Sequence, residues 1–230
     1  MMPATAPTAG RAPRPRLFAP PGVYRPQADT RLLAAALDRE ELAPGTAVME
    51  IGTGTGALAL RAAGRGARVT GVDVSWAAVV TAYVNALRRR LRVRVLHGDF
   101  AARTRGQRFD LVLANPPYVP SPEPRTPARG PARAWDAGPT GRLVIDRICE
   151  LASALLRPGG VLLLVHSGMC GPQTTVRNLE RAGLSARIVQ RAAVPWGPVL
   201  RSRRAWLESR GLAEAGDAWE ELVIIRACCP

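Results

Sequence analysis

The chain has 230 residues, a length that fits one domain with a core able to stand without disulfides. Hydrophobic residues make up 47% and charged residues 22%; no apolar run approaches the roughly 20 residues that cross a bilayer as a helix, which argues against a membrane-spanning protein. The formal charge of +14 comes entirely from arginine, since the sequence contains no lysine. Such a balance fits a nucleic-acid or ribosomal partner, and equally a coding bias that replaces lysine by arginine.

Residues 1–22 alternate Pro, Ala, Thr and Arg and predict a flexible arm ahead of a single domain over 23–230. No apolar stretch follows the arginines of the arm, so it does not read as a secretory signal, and the expected compartment is the cytoplasm. From Asp29 a helical pattern sets Leu32, Leu33, Ala36 and Leu37 on one face. Pro44-Gly45 breaks it before Ala47–Ile51, which reads as a buried strand, and the glycine-rich Gly52–Gly56 opens a helix to about Ala63. Ala67–Val74 predicts the next strand, and Ser75 caps a helix reaching Leu91. Strands follow at Val93–Leu96 and Phe109–Leu113, then a long proline-rich loop over 116–139. A helix over 141–156 is expected to stop at Pro158-Gly159-Gly160, ahead of the strand Val161–Val165. A helix near 174–182, a strand near 186–194, a helix over 203–210 and a last strand over 221–227 complete the order. Seven strands alternating with helices predict an α/β fold: a doubly wound, Rossmann-like, mostly parallel sheet with helices on both faces. Ligands of such sheets bind at the carboxyl ends of the strands, and each motif below falls at one of those ends.

Cys149, Cys170, Cys228 and Cys229 lack the paired spacing of a zinc site or a disulfide framework, so reduced thiols and no metal are expected. His97 and His166 lie near strand ends and are assigned no role.

The turn Glu50-Ile-Gly52-Thr53-Gly54-Thr-Gly56 places glycines where a ligand must approach the backbone. Its G-x-G-x-G spacing behind an acid differs from the dinucleotide fingerprint and resembles motif I of class I methyltransferases, which bind S-adenosylmethionine. Asp73 ends the second strand, where a carboxylate can accept both ribose hydroxyls. The resemblance implies that Asp99 meets the adenine amino group, with Phe100 beside the ring.

Asn115-Pro116-Pro117-Tyr118, closing the fourth strand, resembles the N-P-P-Y motif of enzymes that methylate planar amide or amino nitrogens. Such a nitrogen has a delocalised lone pair. The Asn115 oxygen and the Pro116 carbonyl can each accept one of its N–H bonds, and the prolines hold that backbone rigid. Tyr118 offers a ring to stack on the target. Asn115, Pro116 and Tyr118 are therefore the candidate catalytic residues, with Pro117 and Tyr118 also against the acceptor.

The stretch Tyr24-Arg25-Pro26-Gln27-Ala28-Asp29-Thr30 and the later Gly138-Pro-Thr-Gly141-Arg142 are similar to segments of short HemK/PrmC-like proteins. That family methylates the glutamine of the Gly-Gly-Gln loop in peptide-chain release factors. The resemblance implies that Asp29 and Thr30 help to close the cofactor site and that Tyr24 touches the substrate. Bacterial members carry an N-terminal helical domain where this chain has its short arm, and short relatives work with a small zinc-containing activator. Arg25 and Gln27 stand where relatives often have acids. A small molecule of a biosynthetic pathway and an RNA base stay open as acceptors; a DNA adenine is disfavoured, as no stretch is long enough for target recognition. The non-enzymatic alternative is an S-adenosylmethionine-binding interaction protein.

Overall fold

The computed structural model describes residues 16–230, so residues 1–15 of the expected arm lie outside the described part. Residues 16–22, read as the end of that arm, lie along the domain: Asn85 donates to the Phe18 carbonyl and accepts from the Phe18 N–H, both at 2.8 Å.

The chain then runs α1 (Ala28–Arg39), β1 (Ala47–Ile51), α2 (Ala57–Ala63), β2 (Arg68–Asp73), α3 (Trp76–Arg88), β3 (Val93–His97), α4 (Phe100–Arg103) and β4 (Phe109–Ala114). After the proline-rich loop come α5 (Leu143–Leu155), β5 (Leu156–Ser167), α6 (Pro172–Arg181), β6 (Ser185–Pro195), α7 (Pro198–Ser202), α8 (Arg204–Ser209) and β7 (Trp219–Cys228). One seven-stranded sheet forms in the order β3-β2-β1-β4-β5-β7-β6, parallel except for β7, which is antiparallel to both of its neighbours.

Both faces of the central strands are covered, which is why they read as continuous apolar runs. Val48, Leu111, Leu113, Leu163 and Ile224 point to α1 and α2, whereas Met49, Val112, Leu162, Leu164 and Ile225 point to α5 and α6. Each strand divides its side chains between two cores, because successive residues face opposite sides of the pleat. Ser75 caps α3 as expected, accepting from the Ala78 N–H at 3.4 Å.

Three boundaries differ from expectation. Pro158-Gly159-Gly160 does not separate a helix from a strand: β5 begins at Leu156 and carries these residues as an irregularity, with the register to β4 shifting between Phe109 and Leu111. The helix expected over 203–210 is present as α8, but it is preceded by a further short helix, α7, that was not expected; both lie in the 23-residue segment between Pro195 and Trp219. The four-residue α4 is too short to leave a periodic signal. Because β1 winds outward to β2 and β3 while β4 returns on its other side, the carboxyl ends of β1 and β4 form the crevice of the sheet.

Candidate active site

The turn after β1 is built by buried polar contacts. Gly52, Gly54 and Gly56 have φ of 67°, 53° and 78°. A Cβ on Gly52 or Gly54 would meet nothing in the protein closer than 3.9 Å, so the room around those carbons is open cavity. Glu50 and Thr53 are buried beneath them: Glu50 Oε2 accepts from Thr53 Oγ1 at 2.6 Å and from the Ala59 N–H at 2.9 Å. Burial pushes the Glu50 carboxyl up to about 8. Glu50, Thr53 and Gly56 thus brace the turn from behind, with Gly56 packed on Ala82, and they do not line the cavity in front of it.

That cavity, about 540 Å³, is lined by Gly52, Gly54, Asp73, Val74, Trp76, His97, Asn115 and Pro117, among others. Asp73 accepts from the Gly54 N–H at 2.9 Å and the Ser75 N–H at 2.8 Å, and burial raises its carboxyl above the ordinary range. Asp99 and Phe100, expected against a bound base, are not among the residues that line this cavity. The Asp99 carboxylate caps α4 and pairs with Arg147 at 2.6 Å, and the Phe100 ring is buried in the core under the Arg147 guanidinium. The wall there is instead Val74 and a stacked pair, Trp76 on His97, with ring centroids 4.0 Å apart. The sequence points to His97 near a strand end without a role and does not point to Trp76, because an exposed Trp at a helix start and a lone His carry no spacing signal.

A second cavity of about 820 Å³ adjoins the first, and Tyr24 and Asn115 line both. Its walls include Asp29, Pro116 and Tyr118, then Pro195, Leu200, Glu220 and Leu222 from β6, the insertion and β7. At the junction Asp29 collects donors. Its Oδ2 accepts from Tyr24 Oη at 2.7 Å, Asn115 Nδ2 at 3.1 Å and Tyr118 Oη at 3.3 Å, while Oδ1 takes the Thr30 N–H and hydroxyl. Asn115 Nδ2 also reaches Thr30 Oγ1 at 3.3 Å. With both amide protons drawn to Asp29 and Thr30, the Asn115 Oδ1 is left to accept. Burial, then Asp29, raises the Tyr24 and Tyr118 phenols, so both stay protonated and donate.

The Gly138–Arg142 segment supports this loop from below. Cys170 Sγ donates to the Tyr118 carbonyl at 3.1 Å, while Arg142 donates to the Cys170 carbonyl and to Thr175 Oγ1 and pairs with Asp146. On the insertion side, Arg203 donates to the Pro120 carbonyl at 3.0 Å and pairs with buried Asp136 at 2.6 Å, tying the proline-rich loop to α7 and α8.

A family model described as the methyltransferase small domain matches residues 16–126. A putative protein N5-glutamine methyltransferase of Methanocaldococcus jannaschii is 32% identical over 76% of this chain and 88% of its own length. A release factor glutamine methyltransferase of Moorella thermoacetica is 40% identical over 70% of this chain, which spans 60% of that relative. The chain belongs to the HemK/PrmC-like methyltransferases. Among solved structures, the E. cuniculi Mtq2–Trm112 complex, described as responsible for methylation of the termination factor eRF1, aligns over 91% of this chain and 99% of its own, with a TM-score of 0.60 and 22% identity; that likeness concerns the fold.

A HemK/PrmC-like enzyme uses S-adenosylmethionine, a cation with a ribose, and the first cavity suits it. Glycine carbons open on the ligand's side, and among the described residues the Asp73 carboxylate accepts from two backbone donors. Among the described residues no helix is long and apolar enough to cross a membrane, and no cluster of His, Cys, Asp and Glu could hold a metal ion.

Proposed function

We propose that this N-methyltransferase modifies the side-chain amide of a glutamine in a protein of the peptide-chain release factor type, in the cytoplasm. The observation that carries the reading is the orientation of Asn115, which lines both cavities: its NH2 donates to Asp29 and Thr30, which leaves the side-chain oxygen as its acceptor. S-adenosylmethionine, when bound, supplies a methyl group on a sulfonium. Asp73 would hold its ribose hydroxyls, Gly52 and Gly54 would lie against it, and Val74 with the Trp76–His97 pair would flank its base. Glu50, Thr53 and Gly56 keep the turn in shape, and Phe100 and Asp99 back that wall from behind.

Asn115 Oδ1 and the Pro116 carbonyl take the two amide N–H bonds of the acceptor. That would fix the nitrogen and help it leave the amide plane. Pro117 separates the two ligands, and the Tyr118 ring covers the amide face. Tyr24 and Asp29 hold Asn115 in its productive orientation and close the junction. The gain lies in alignment and preorganised acceptors rather than in a strong base.

A small activator subunit is proposed as a partner. On α3, Trp76, Val80, Tyr83 and Leu87 are 65, 55, 53 and 58% exposed and recur at helical spacing beside the edge strand β3. This is an apolar stripe next to unpaired strand backbone, which suits a protein that covers the one and extends the other. The relative solved with Trm112 supports it.

The test is transfer of labelled methyl groups from S-adenosylmethionine to a host lysate and to purified release factor, with and without the activator. Label in release factor, reduced about a thousandfold in Asn115→Ala with cofactor binding retained, is the expected result. Label confined to RNA or to a metabolite overturns the glutamine assignment.

A further inference from the structure

The sequence reading does not single out Glu220. It is the second residue of β7 and pairs with Val194 of β6, so the antiparallel return of the last strand carries it to the acceptor cavity. Its neighbours in that wall, Val194, Pro195 and Leu222, are apolar. Within the wall Glu220 is odd: its Oε2 is closed off from water and has no hydrogen-bond partner among the described residues. A buried carboxylate oxygen without a donor is costly and rare unless something that visits the site completes it.

We infer that Glu220 is an acceptor-recognition residue, which takes an N–H of the polypeptide backbone beside the amide being methylated. The inference rests on the protein-glutamine reading and names the part of the substrate that this wall reads. The competing acid in the cavity, Asp29, already has donors on both oxygens. Asn115 Oδ1 and the Pro116 carbonyl are engaged by the target amide itself. Glu220 therefore holds unmet accepting capacity in the wall of the outer cavity, which a turn of its side chain toward the cavity makes available, and a peptide segment arrives with free backbone N–H donors. Small residues next to the glutamine would let that backbone approach β7.

The setting gives a second readout. Burial, more than Asp29, pushes the Glu220 carboxyl up to about 7, against the Ser167 hydroxyl that favours its charged form. The groups that face it are Asp29 on α1, Tyr24 ahead of α1, Tyr118 after β4, and Ser167 and Cys170 at the end of β5. Burial raises both phenols and pushes the Cys170 thiol up to about 12, and it pushes His166 down to about 4, so these four stay neutral near pH 7. A neutral Glu220 accepts an N–H less well than the carboxylate, so recognition weakens as pH falls through about 7.

The experiment measures steady-state kinetics of wild type, Glu220→Ala and Glu220→Gln on purified release factor and on a synthetic Gly-Gly-Gln-containing peptide, with cofactor affinity measured by calorimetry. Glu220→Ala should raise KM for the acceptor about tenfold or more, with kcat within about twofold and cofactor Kd unchanged. Glu220→Gln should recover part of the loss, because its amide oxygen still accepts. Wild-type KM should rise several-fold from about pH 8 to about pH 6, and that of Glu220→Gln should stay flat. Wild-type transfer with unaltered KM in both variants overturns the inference and leaves the enzyme's assignment intact. Wild type that labels neither acceptor, even with activator, overturns the glutamine reading and this inference with it.

Discussion

Gly141 lies under the Asn115–Tyr118 loop with φ of 70°, a backbone region costly for any residue with a Cβ. A methyl group there would overlap the Tyr118 carbonyl oxygen and sit 2.9 Å from Cys170 Sγ. The strain of left-handed φ and the overpacking add, so Gly141→Ala should lower stability by about 2–4 kcal/mol, read from urea unfolding. The protein that still folds should lose kcat while cofactor affinity changes little, since the collision is at Tyr118 and not at the Gly52–Gly56 turn. Equal loss of cofactor affinity would show that the two loops move together. At this scale the sequence showed which residue types are present but not how they are turned. Asn115 is legible as a candidate from its motif. Its amide orientation, which makes it an acceptor, follows from Asp29 and Thr30, more than eighty positions away. Glu220 was invisible for a related reason: an acid near the start of a strand reads as surface charge until the strand's place in the sheet is known.

Most elements were legible because their signals are local. Apolar runs gave the buried strands, Ser75 gave the start of α3, and a proline-rich stretch gave the loop over 116–139. Pro158-Gly159-Gly160 misled because proline followed by glycine usually ends an element, while here tertiary pairing holds the segment in β5. The two glycines do different things. Gly159 has φ of 74° and open space where a Cβ would go, whereas a Cβ on Gly160 would lie 2.8 Å from the Arg157 carbonyl oxygen and 2.9 Å from that of Phe109. Gly159→Ala should cost about 1 kcal/mol from φ alone. Gly160→Ala should cost about 2–3 kcal/mol, because backbone on both sides must shift. Both variants should keep wild-type kcat once folded, because this end of β5 is opposite the end that carries the site. Unfolding midpoints in urea rank them, and the reverse order would mean that the bulge relaxes easily. The insertion after β6 was half legible: its helical content showed, but its function as a wall of the acceptor cavity depends on Arg203 finding Asp136 across the fold.

Across the whole molecule the balance of charge is basic, at +14, yet the site concentrates acids: Asp29, Glu50, Asp73 and Glu220 all lie at the carboxyl ends of strands or next to them. Burial raises three of them, with Glu50 up to about 8, Glu220 up to about 7 and Asp73 above its usual range. The sign follows directly. An acid whose folded value lies above its unfolded one binds more protons in the folded chain, so the stability it confers is present at low pH and is lost as pH rises through the folded value. Asp110, at the far end of β4, is of opposite sign: its lowered carboxyl confers stability that is lost only at acid pH, below the window where the site titrates. Between about pH 5 and pH 8 the ligand-free cofactor end of the site, where Glu50 and Asp73 lie around the glycine turn and from which Glu220 is remote, therefore becomes progressively less favourable as negative charge is buried. A cation bound there offsets that charge, and in doing so it displaces protons. S-adenosylmethionine carries one more positive charge than S-adenosylhomocysteine, at the sulfonium, and the two share the ribose and adenine that the proposed contacts to Asp73 and the glycine turn would hold. Affinity for S-adenosylmethionine should tighten several-fold from about pH 6 to about pH 8, with protons released into the buffer, and affinity for S-adenosylhomocysteine should change less. Calorimetric titrations in two buffers of different ionisation enthalpy measure both quantities. Parallel pH profiles for the two ligands would mean that the buried acids shape the turn without sensing the sulfonium, leaving its recognition to neutral groups of the cavity.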